Sequence, residues 1–80
     1  MTKQEVANRY KEHAIKMAEL ISQISEIKEG CEYLTTQYPT NMDPEMDIDE
    51  MLIKSARALS SLVIYWYEIQ QEVDQETKGA

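Results

Sequence analysis

Two residues of this 80-residue chain belong to types that often carry chemistry, the single histidine His13 and the single cysteine Cys31. A nucleophilic cysteine needs a neighbouring base, and no histidine lies near Cys31 along the predicted helix. A carboxylate di-iron site needs a glutamate three residues before each histidine, but Tyr10 stands at that position. We therefore predict that both side chains pack along an apolar helix face, and that the chain has no catalytic, cofactor or metal site.

Glu26 and Glu29 in the stretch "EIKE" are three residues apart, which places two carboxylates on one face of a helix. This motif resembles part of the pattern of all-α nucleotide pyrophosphohydrolases, which hold magnesium with Glu-x-x-Glu on one helix and Glu-x-x-Asp on the next. The second motif does not follow in phase, since Glu72 is followed three residues later by Gln75. A pair of charges like this one is usually a solvated helix face, so a pyrophosphohydrolase-like enzyme is our third hypothesis.

The stretch "KSARALSSLV" lies in the second half of the chain, where Ser55 is followed by Ala56 and, three residues further on, by Leu59. In length and layout the chain resembles the small helical-hairpin phosphatases of sporulation response regulators. Their second helix carries a Ser-Gln-x-x-Asp signature, and here alanine and leucine stand where glutamine and aspartate are expected. The resemblance therefore implies a shared helical hairpin without the phosphatase signature.

Five acidic residues crowd the stretch "MDPEMDIDE" with no basic residue among them, namely Asp43, Glu45, Asp47, Asp49 and Glu50. Acids at the start of a helix complement the helix macrodipole, which is a structural explanation. The functional interpretation is a docking site for a basic protein surface. In a sharper form of this hypothesis the carboxylates imitate the phosphates of nucleic acid, as small acidic phage proteins do against host enzymes.

Charge and length restrict the partners of the chain. Eight basic and fifteen acidic residues give a net charge of −7, which repels nucleic acid and anionic lipid. No apolar run approaches the roughly 20 residues that span a bilayer, and no apolar signal segment follows the N-terminus. A lone thiol fits a reducing compartment. We expect a cytoplasmic protein that binds another protein, without binding nucleic acid directly or a membrane.

Apolar or bulky residues recur at alternating steps of three and four, which is the heptad spacing of helices that pack together. In the first half the positions are Val6, Tyr10, His13, Met17, Leu20, Ile24, Ile27, Cys31, Leu34 and Tyr38, with a neighbouring column at Ala7, Ala14 and Ile21. In the second half they are Ile48, Leu52, Ser55, Leu59, Leu62, Trp66, Ile69 and Val73. We predict one all-α domain over residues 1–80, an antiparallel hairpin with helices over 3–37 and 47–76 and a connection over 38–46.

The ends of the helices have recognisable signals. Thr2 and Glu5 have the spacing of a capping box. The heptad repeat continues through Gly30 without losing phase, so we predict that Gly30 is helical, with a kink there as an alternative. Pro39 disfavours a helical conformation at the residue before it, and it is the predicted stop. For the second helix both Asp43 and Asp47 are candidate caps, and the bounds given above take the later one.

The run "LVIYWY", residues 62–67, has the composition of a β-strand but lies inside the second heptad repeat, so we predict that it is helical. Around a helix these six residues cover every side. A helix that is apolar on every side is usually buried on every side, and one partner helix cannot bury it. We therefore predict a homodimer, most simply a four-helix bundle made of two hairpins.

The apolar candidates for protein binding lie on the second helix and are Ile53, Ile64, Tyr65, Trp66 and Tyr67; the acidic candidates are the five residues named above. Ile64 and Tyr67 point away from the predicted helix contact, in line with Ile53. We expect them to contact either a second copy or a target. The leading hypothesis is a non-enzymatic adaptor, inhibitor or regulator that binds another protein, followed by the acidic mimic of nucleic acid.

Overall fold

The structure is a computed structural model that describes residues 1–39 and 41–79. It contains two long helices, α1 over Lys3–Gln37 and α2 over Pro44–Gly79, and no strand occurs among the described residues. The helices run side by side in opposite directions, so that Lys3 near the start of α1 contacts Glu76 near the end of α2. The all-α hairpin predicted from the heptad spacing is confirmed, and residues 62–67 are helical throughout.

Both helices begin with a side-chain cap. The Thr2 hydroxyl accepts a hydrogen bond from the backbone N–H of Glu5 at 3.1 Å. A carboxylate oxygen of Asp43 accepts one from the backbone N–H of Met46 at 3.1 Å. Such caps satisfy backbone donors that have no partner within the helix. Pro44 takes the first helical position, which suits its fixed φ, so α2 begins three residues before the start at 47 taken from the sequence.

Gly30 lies within α1, and the helix continues past it to Gln37. None of the described glycines has a positive φ. A Cβ atom added at Gly30 would meet no atom within 4 Å, because the glycine faces open space. The helix ends where Tyr38 adopts φ −132° and ψ 84°, one residue before Pro39.

The two helices meet along a seam, by which we mean the line of side chains that each helix presents to the other. On α2 every one of the eight predicted heptad positions is half-buried in this seam. Ala58, beside the seam, is also half-buried, and the small side chains of Ser55 and Ala58 leave space beside Met17. The sequence therefore located the inward face of α2 correctly.

In the first half of the chain the predicted inward face is wrong for more than half of its positions. The column of Ala7 and Ala14, which the repeat places beside the inward face, lies in the seam and continues at Lys28. The main repeat contributes four alternate positions to the seam, from Tyr10 to Cys31. Val6, His13, Leu20, Ile27 and Leu34 lie beside the seam instead, and Tyr38, which follows α1, is 80% exposed. The helix is rotated in this way because alanine side chains let the two backbones approach closely, which larger side chains would prevent.

The core between the helices is thin. Among the described residues only Ala7, Ala14 and Ile24 are buried, and no large side chain is completely buried. The molecule measures 65 × 18 × 14 Å, so there is no third layer to cover either face of the hairpin. Large apolar side chains consequently remain exposed on both helices.

Candidate protein-binding surfaces

The acidic stretch at the start of α2 is partly occupied by contacts within the hairpin. Asp43 caps α2, as described above. Glu45 accepts a hydrogen bond from the Thr35 hydroxyl at 2.7 Å, and Asp49 forms an ion pair with Lys28 at 2.6 Å. Three of the five predicted acidic residues therefore have structural partners across the seam or at the helix end.

The other two acidic residues, Asp47 and Glu50, are exposed. Both border a hollow of about 370 Å³, whose other lining residues are Met17, Met51, Lys54, Ser55 and Ala58. Lys54 brings a positive charge to the same rim. The five carboxylates are thus divided between a cap, two contacts between the helices and the edge of a hollow, and they do not form one separate patch.

Two ion-pair clusters tie the helices together at opposite ends of the hairpin. Near the connection, the hydrogen bond from Lys28 to Asp49 raises the pKa of Lys28 above its ordinary value of 10.5. Near the chain termini, the hydrogen bond from Lys3 to Glu76 raises the pKa of Lys3 in the same way, with a further contribution from Glu72 at 3.9 Å. Lys3, Glu72 and Glu76 are exposed, and Lys28 and Asp49 are half-buried at the edge of the seam, so the pairs mainly fix the register of the helices.

The apolar candidates on α2 are distributed over three different sides of the helix. Trp66 is half-buried in the seam, where the Lys11 ammonium lies 5.8 Å from the centre of its ring. Tyr65 lies beside the seam, and its ring centroid is 5.9 Å from that of Tyr10. Ile53 is exposed on the outer side, about 16 Å along the helix from Ile64 at 1.5 Å per residue. The structure therefore does not join all five candidates into one surface.

Three of the apolar candidates, Ile64, Trp66 and Tyr67, line the same depression on α2. Together with Val63, Glu68 and Gln71 they line a groove of about 460 Å³, which we call the outer groove. Ile64 is 54% exposed and Tyr67 is 62% exposed, whereas the Trp66 ring reaches the groove from the seam. The outer groove is therefore an apolar depression with polar groups at its edge.

A second apolar surface was missed by the sequence reasoning, and we call it the flank face. Its members recur at steps of seven beside the seam, and they are Val6, His13, Leu20, Ile27 and Leu34 on α1 with Met51, Ala58 and Tyr65 on α2. The larger apolar members are about half exposed, from Leu20 at 47% to Ile27 at 58%. The signal was present in the sequence, because the column from Val6 to Leu34 keeps a strict spacing of seven.

Contacts across the seam show that both halves of the flank face lie on the same side of the hairpin. On the opposite side polar groups bridge the helices, since Gln4 and Gln70 exchange hydrogen bonds at 3.0 and 3.2 Å. On the flank side the bridging groups are the rings of Tyr10 and Tyr65. One edge of the seam is therefore closed by polar contacts, while the other is lined by apolar side chains.

The residues with potential chemistry are scattered. His13 is exposed on the flank face rather than packed in the seam, which corrects its predicted position, and Cys31 is half-buried. Glu26 and Glu29 are both exposed. Within residues 1–39 and 41–79, no group of three or more His, Cys, Asp or Glu side chains is placed to hold a metal ion.

Neither α1 nor α2 contains, in its described part, a segment long and apolar enough to cross a membrane. Comparison of the chain with protein families, with curated proteins and with solved structures finds no significant match. The inferences about function that follow therefore depend on the surfaces of the hairpin itself.

Proposed function

We propose that this chain is a small acidic protein-binding module of the cytoplasm, which acts as an adaptor, inhibitor or regulator through contacts made by its helices. The observation that supports this most directly is the outer groove. Single exposed apolar residues are normal on a protein surface, but Ile64 and Tyr67 flank one depression whose floor includes the Trp66 ring. Tyrosine and tryptophan are enriched among the residues that dominate the energy of protein interfaces.

The partner that fits this groove best is an amphipathic helix with basic residues beside its apolar side chains. An apolar anchor would occupy the groove, as in other complexes in which a helix lies in a hydrophobic groove. The net charge of −7 attracts a basic segment at long range. The long-range attraction raises the association rate, while the apolar contact provides most of the affinity.

We also propose that the hairpin acts as a homodimer, as a four-helix bundle made of two copies. The thin core supports this, because only three of the residues that the structure describes are buried and two of them are alanines. Chains of this size usually need a disulfide, a metal or oligomerisation in addition to their own core. A single cysteine cannot form a disulfide within the chain.

The alternative function, mimicry of nucleic acid by the acidic stretch, has less support. A mimic needs a continuous carboxylate face, whereas Asp43, Glu45 and Asp49 are engaged within the hairpin. A pyrophosphohydrolase-like activity has the weakest support, since Glu26 and Glu29 are an isolated pair of exposed carboxylates.

The test is affinity capture from the native host, followed by mass spectrometry, with wild type and two double variants. Ile64→Ser with Tyr67→Ser removes the apolar rim of the outer groove. The matched control, Ile15→Ser with Tyr33→Ser, changes an isoleucine and a tyrosine of similar exposure on α1. We expect the partner to be lost from the first variant and retained by the second. If the first variant captures the same proteins at wild-type levels, the outer groove is not the binding site.

A third variant tests the mimicry alternative in the same experiment. Asp47→Asn with Glu50→Gln neutralises the two exposed carboxylates of the acidic stretch and leaves the cap and the contacts between the helices intact. We expect it to retain the partner with modestly weaker binding at low salt. Loss of the partner from this variant alone, together with steep weakening by salt, would favour the mimic instead.

A further inference from the structure

We propose that a second copy of this chain covers the flank face, so that the outer groove remains free for the protein partner. This inference rests on the dimer of the proposed function and names its surface. The sequence left open whether Ile64 and Tyr67 serve a dimer or a target. The accessible area of the hairpin, the distribution of its charges and the shape of the flank face assign the dimer to the flank face.

The hairpin exposes more surface than a compact protein of its mass. Its accessible area is 6383 Å², whereas a folded monomer of 9.3 kDa exposes about 5,000 Å². The excess is about 1,400 Å² per chain, and a specific interface of standard size hides about 800 Å² on each partner. Covering one long face of the hairpin therefore hides the area that a stable dimer requires.

The flank face is the longest apolar surface that both helices share. Leu20, Ile27 and Leu34 extend it along α1, while Met51 and Tyr65 extend it along α2. It also continues the heptad spacing of the seam, so a second pair of helices packs onto it by the same interdigitation of side chains. The outer groove, by comparison, is confined to about two turns of α2.

The back of α1, which points away from the seam, excludes a second acidic chain. Glutamates recur there at steps of seven, at Glu5, Glu12, Glu19 and Glu26. On a helix this spacing places all four carboxylates in one row, far from the seam. Two copies that met along this row would place like charges opposite each other, which is unfavourable.

Charges beside the flank face, in contrast, are nearly balanced. The flank face, its border and the rim of the hollow carry three bases and four acids, which are Arg9, Lys16 and Lys54 with Asp47, Glu50, Glu68 and Glu72. A chain with a net charge of −7 therefore has one side on which self-association meets little net repulsion. Electrostatic complementarity of this kind determines which surfaces pair.

The shape of the flank face is complementary to itself. The hollow of about 370 Å³ opens between the helices beside Met17, Met51 and Ala58. The small side chain of Ala58 leaves this hollow open. Leu20, on the neighbouring helix, projects outwards and is 47% exposed. One copy thus offers both a protruding leucine and a hollow of a size that accepts one.

The leucine and the hollow lie at the same height along the hairpin. Tyr10 contacts Tyr65, and Lys28 contacts Asp49, so the α1 residue midway between these contacts lies level with the middle of that part of α2. That midpoint is Glu19, the neighbour of Leu20, and it lies level with Arg57, the neighbour of Ala58 in the lining of the hollow. A two-fold axis parallel to the helices therefore brings Leu20 of each copy over the hollow of the other.

In this arrangement each α1 lies antiparallel both to its own α2 and to the α2 of the second copy. Antiparallel neighbours oppose their helix dipoles favourably, and the result is a four-helix bundle with short connections. Arg9 is one residue from Tyr10, and Glu68 is three residues from Tyr65, so they lie close to the same level. The axis then brings Arg9 of one copy near Glu68 of the other, twice per dimer.

Sedimentation equilibrium of the full chain tests the surface. Leu20→Asp places a charge on the flank face, and the matched control Ile15→Asp changes an isoleucine of α1 that is 50% exposed on another side. A central interface residue contributes about 30-fold to a dissociation constant, and the substitution occurs twice in a symmetric dimer. We expect Leu20→Asp to raise the dimer dissociation constant about 1,000-fold, and Ile15→Asp to leave it within about threefold of wild type.

A second measurement does not depend on the stability of a disrupted chain. Arg9→Glu and Glu68→Arg are exposed changes that each place like charges at both contacts of the proposed dimer. When the two variants are mixed, every such contact pairs opposite charges. At low salt we expect each variant alone to dimerise about 5- to 30-fold more weakly, and the mixture to regain wild-type affinity as a heterodimer. A charge contact within one chain would not be restored by mixing.

Two results would overturn this inference. One is that Leu20→Asp still dimerises like wild type and that the mixture of Arg9→Glu and Glu68→Arg shows no preference for the heterodimer. The other is a wild-type chain that remains monomeric at micromolar concentration. Neither result affects the capture experiment with Ile64→Ser and Tyr67→Ser, which reports on the outer groove. Conversely, the variant with Ile64→Ser and Tyr67→Ser could capture the partner at wild-type levels while the flank-face variants behave as expected. The dimer surface would then be supported, and the assignment of the partner to the outer groove would be wrong.

Discussion

Gly30 is the position at which the addition of one methyl group should stabilise this protein. It lies inside α1 with a φ that is not positive, and an added Cβ meets no atom within 4 Å. A glycine in the interior of a helix costs about 0.5–1 kcal/mol relative to alanine, because the unfolded chain loses more conformational freedom when it folds. No new contact offsets this term at Gly30. We therefore expect Gly30→Ala to raise the free energy of unfolding by about 0.5–1 kcal/mol.

The effect can be measured by thermal unfolding with far-ultraviolet circular dichroism. For a domain of this size 1 kcal/mol shifts the melting temperature by about 4–8 °C, so Gly30→Ala should melt about 2–8 °C higher than wild type. Both proteins must be compared at the same concentration, because the melting temperature of a chain that dimerises, as proposed above, depends on its concentration.

The matched control is Ala18→Gly, which makes the reverse change at an exposed position of the same helix. It should lower the melting temperature by a similar amount. If Gly30→Ala also lowers it, while Ala18→Gly behaves as expected, the reasoning about Gly30 is refuted. The glycine would then be required for a bend in the helix or for the close approach of another chain.

The remaining predictions concern the seam, a cap and an ion pair, and chemical denaturation measures all three. Ala14→Leu should lower the free energy of unfolding by about 1–3 kcal/mol, because Ala14 is only 6% exposed between the helices; Ala18→Leu, the exposed control, should change it little. Thr2→Ala should cost about 1 kcal/mol by removing the α1 cap, and an unchanged stability would contradict that role. Lys28→Met should be less stable than wild type from neutral pH up to pH 10.5, because the pKa of Lys28 is raised by Asp49 in the folded state. On the alkaline side the difference should shrink only above pH 10.5, and a difference that already shrinks between neutral pH and that value would exclude this explanation.

The inward face of α2 could be predicted because its sequence offers one consistent choice. Large apolar residues, with Ser55 as the exception, follow a heptad repeat from Ile48 to Val73, and the neighbouring column of Met51, Ala58 and Tyr65 is shorter. The same repeat overrides the strand propensity of residues 62–67, since a helix that is already formed on both sides continues more easily than it is interrupted. Local sequence was sufficient here because period and hydrophobicity indicate the same face.

The position of the candidate binding surfaces could be found only from the structure. Ile53 and Ile64 share one side of α2 in sequence, yet a separation of about 16 Å keeps Ile53 out of the outer groove. The sequence shows that this stretch is acidic, but it does not show which of the carboxylates have partners within the hairpin. Asp49 and Glu45 gain their partners only when α1 lies alongside α2.

The sequence by itself determined that this chain forms two amphipathic helices in a hairpin, because heptad spacing and capping residues act locally. It did not determine which side of α1 faces inwards. Two columns of α1 keep a spacing of seven, and the more apolar one, which includes Leu20 and Ile27, remained outside. The tertiary structure chose the column of Ala7 and Ala14, because small side chains allow close packing of the helices. Lys28, further along the same column, finds a charged partner across the seam, and neither effect exists until the two helices meet.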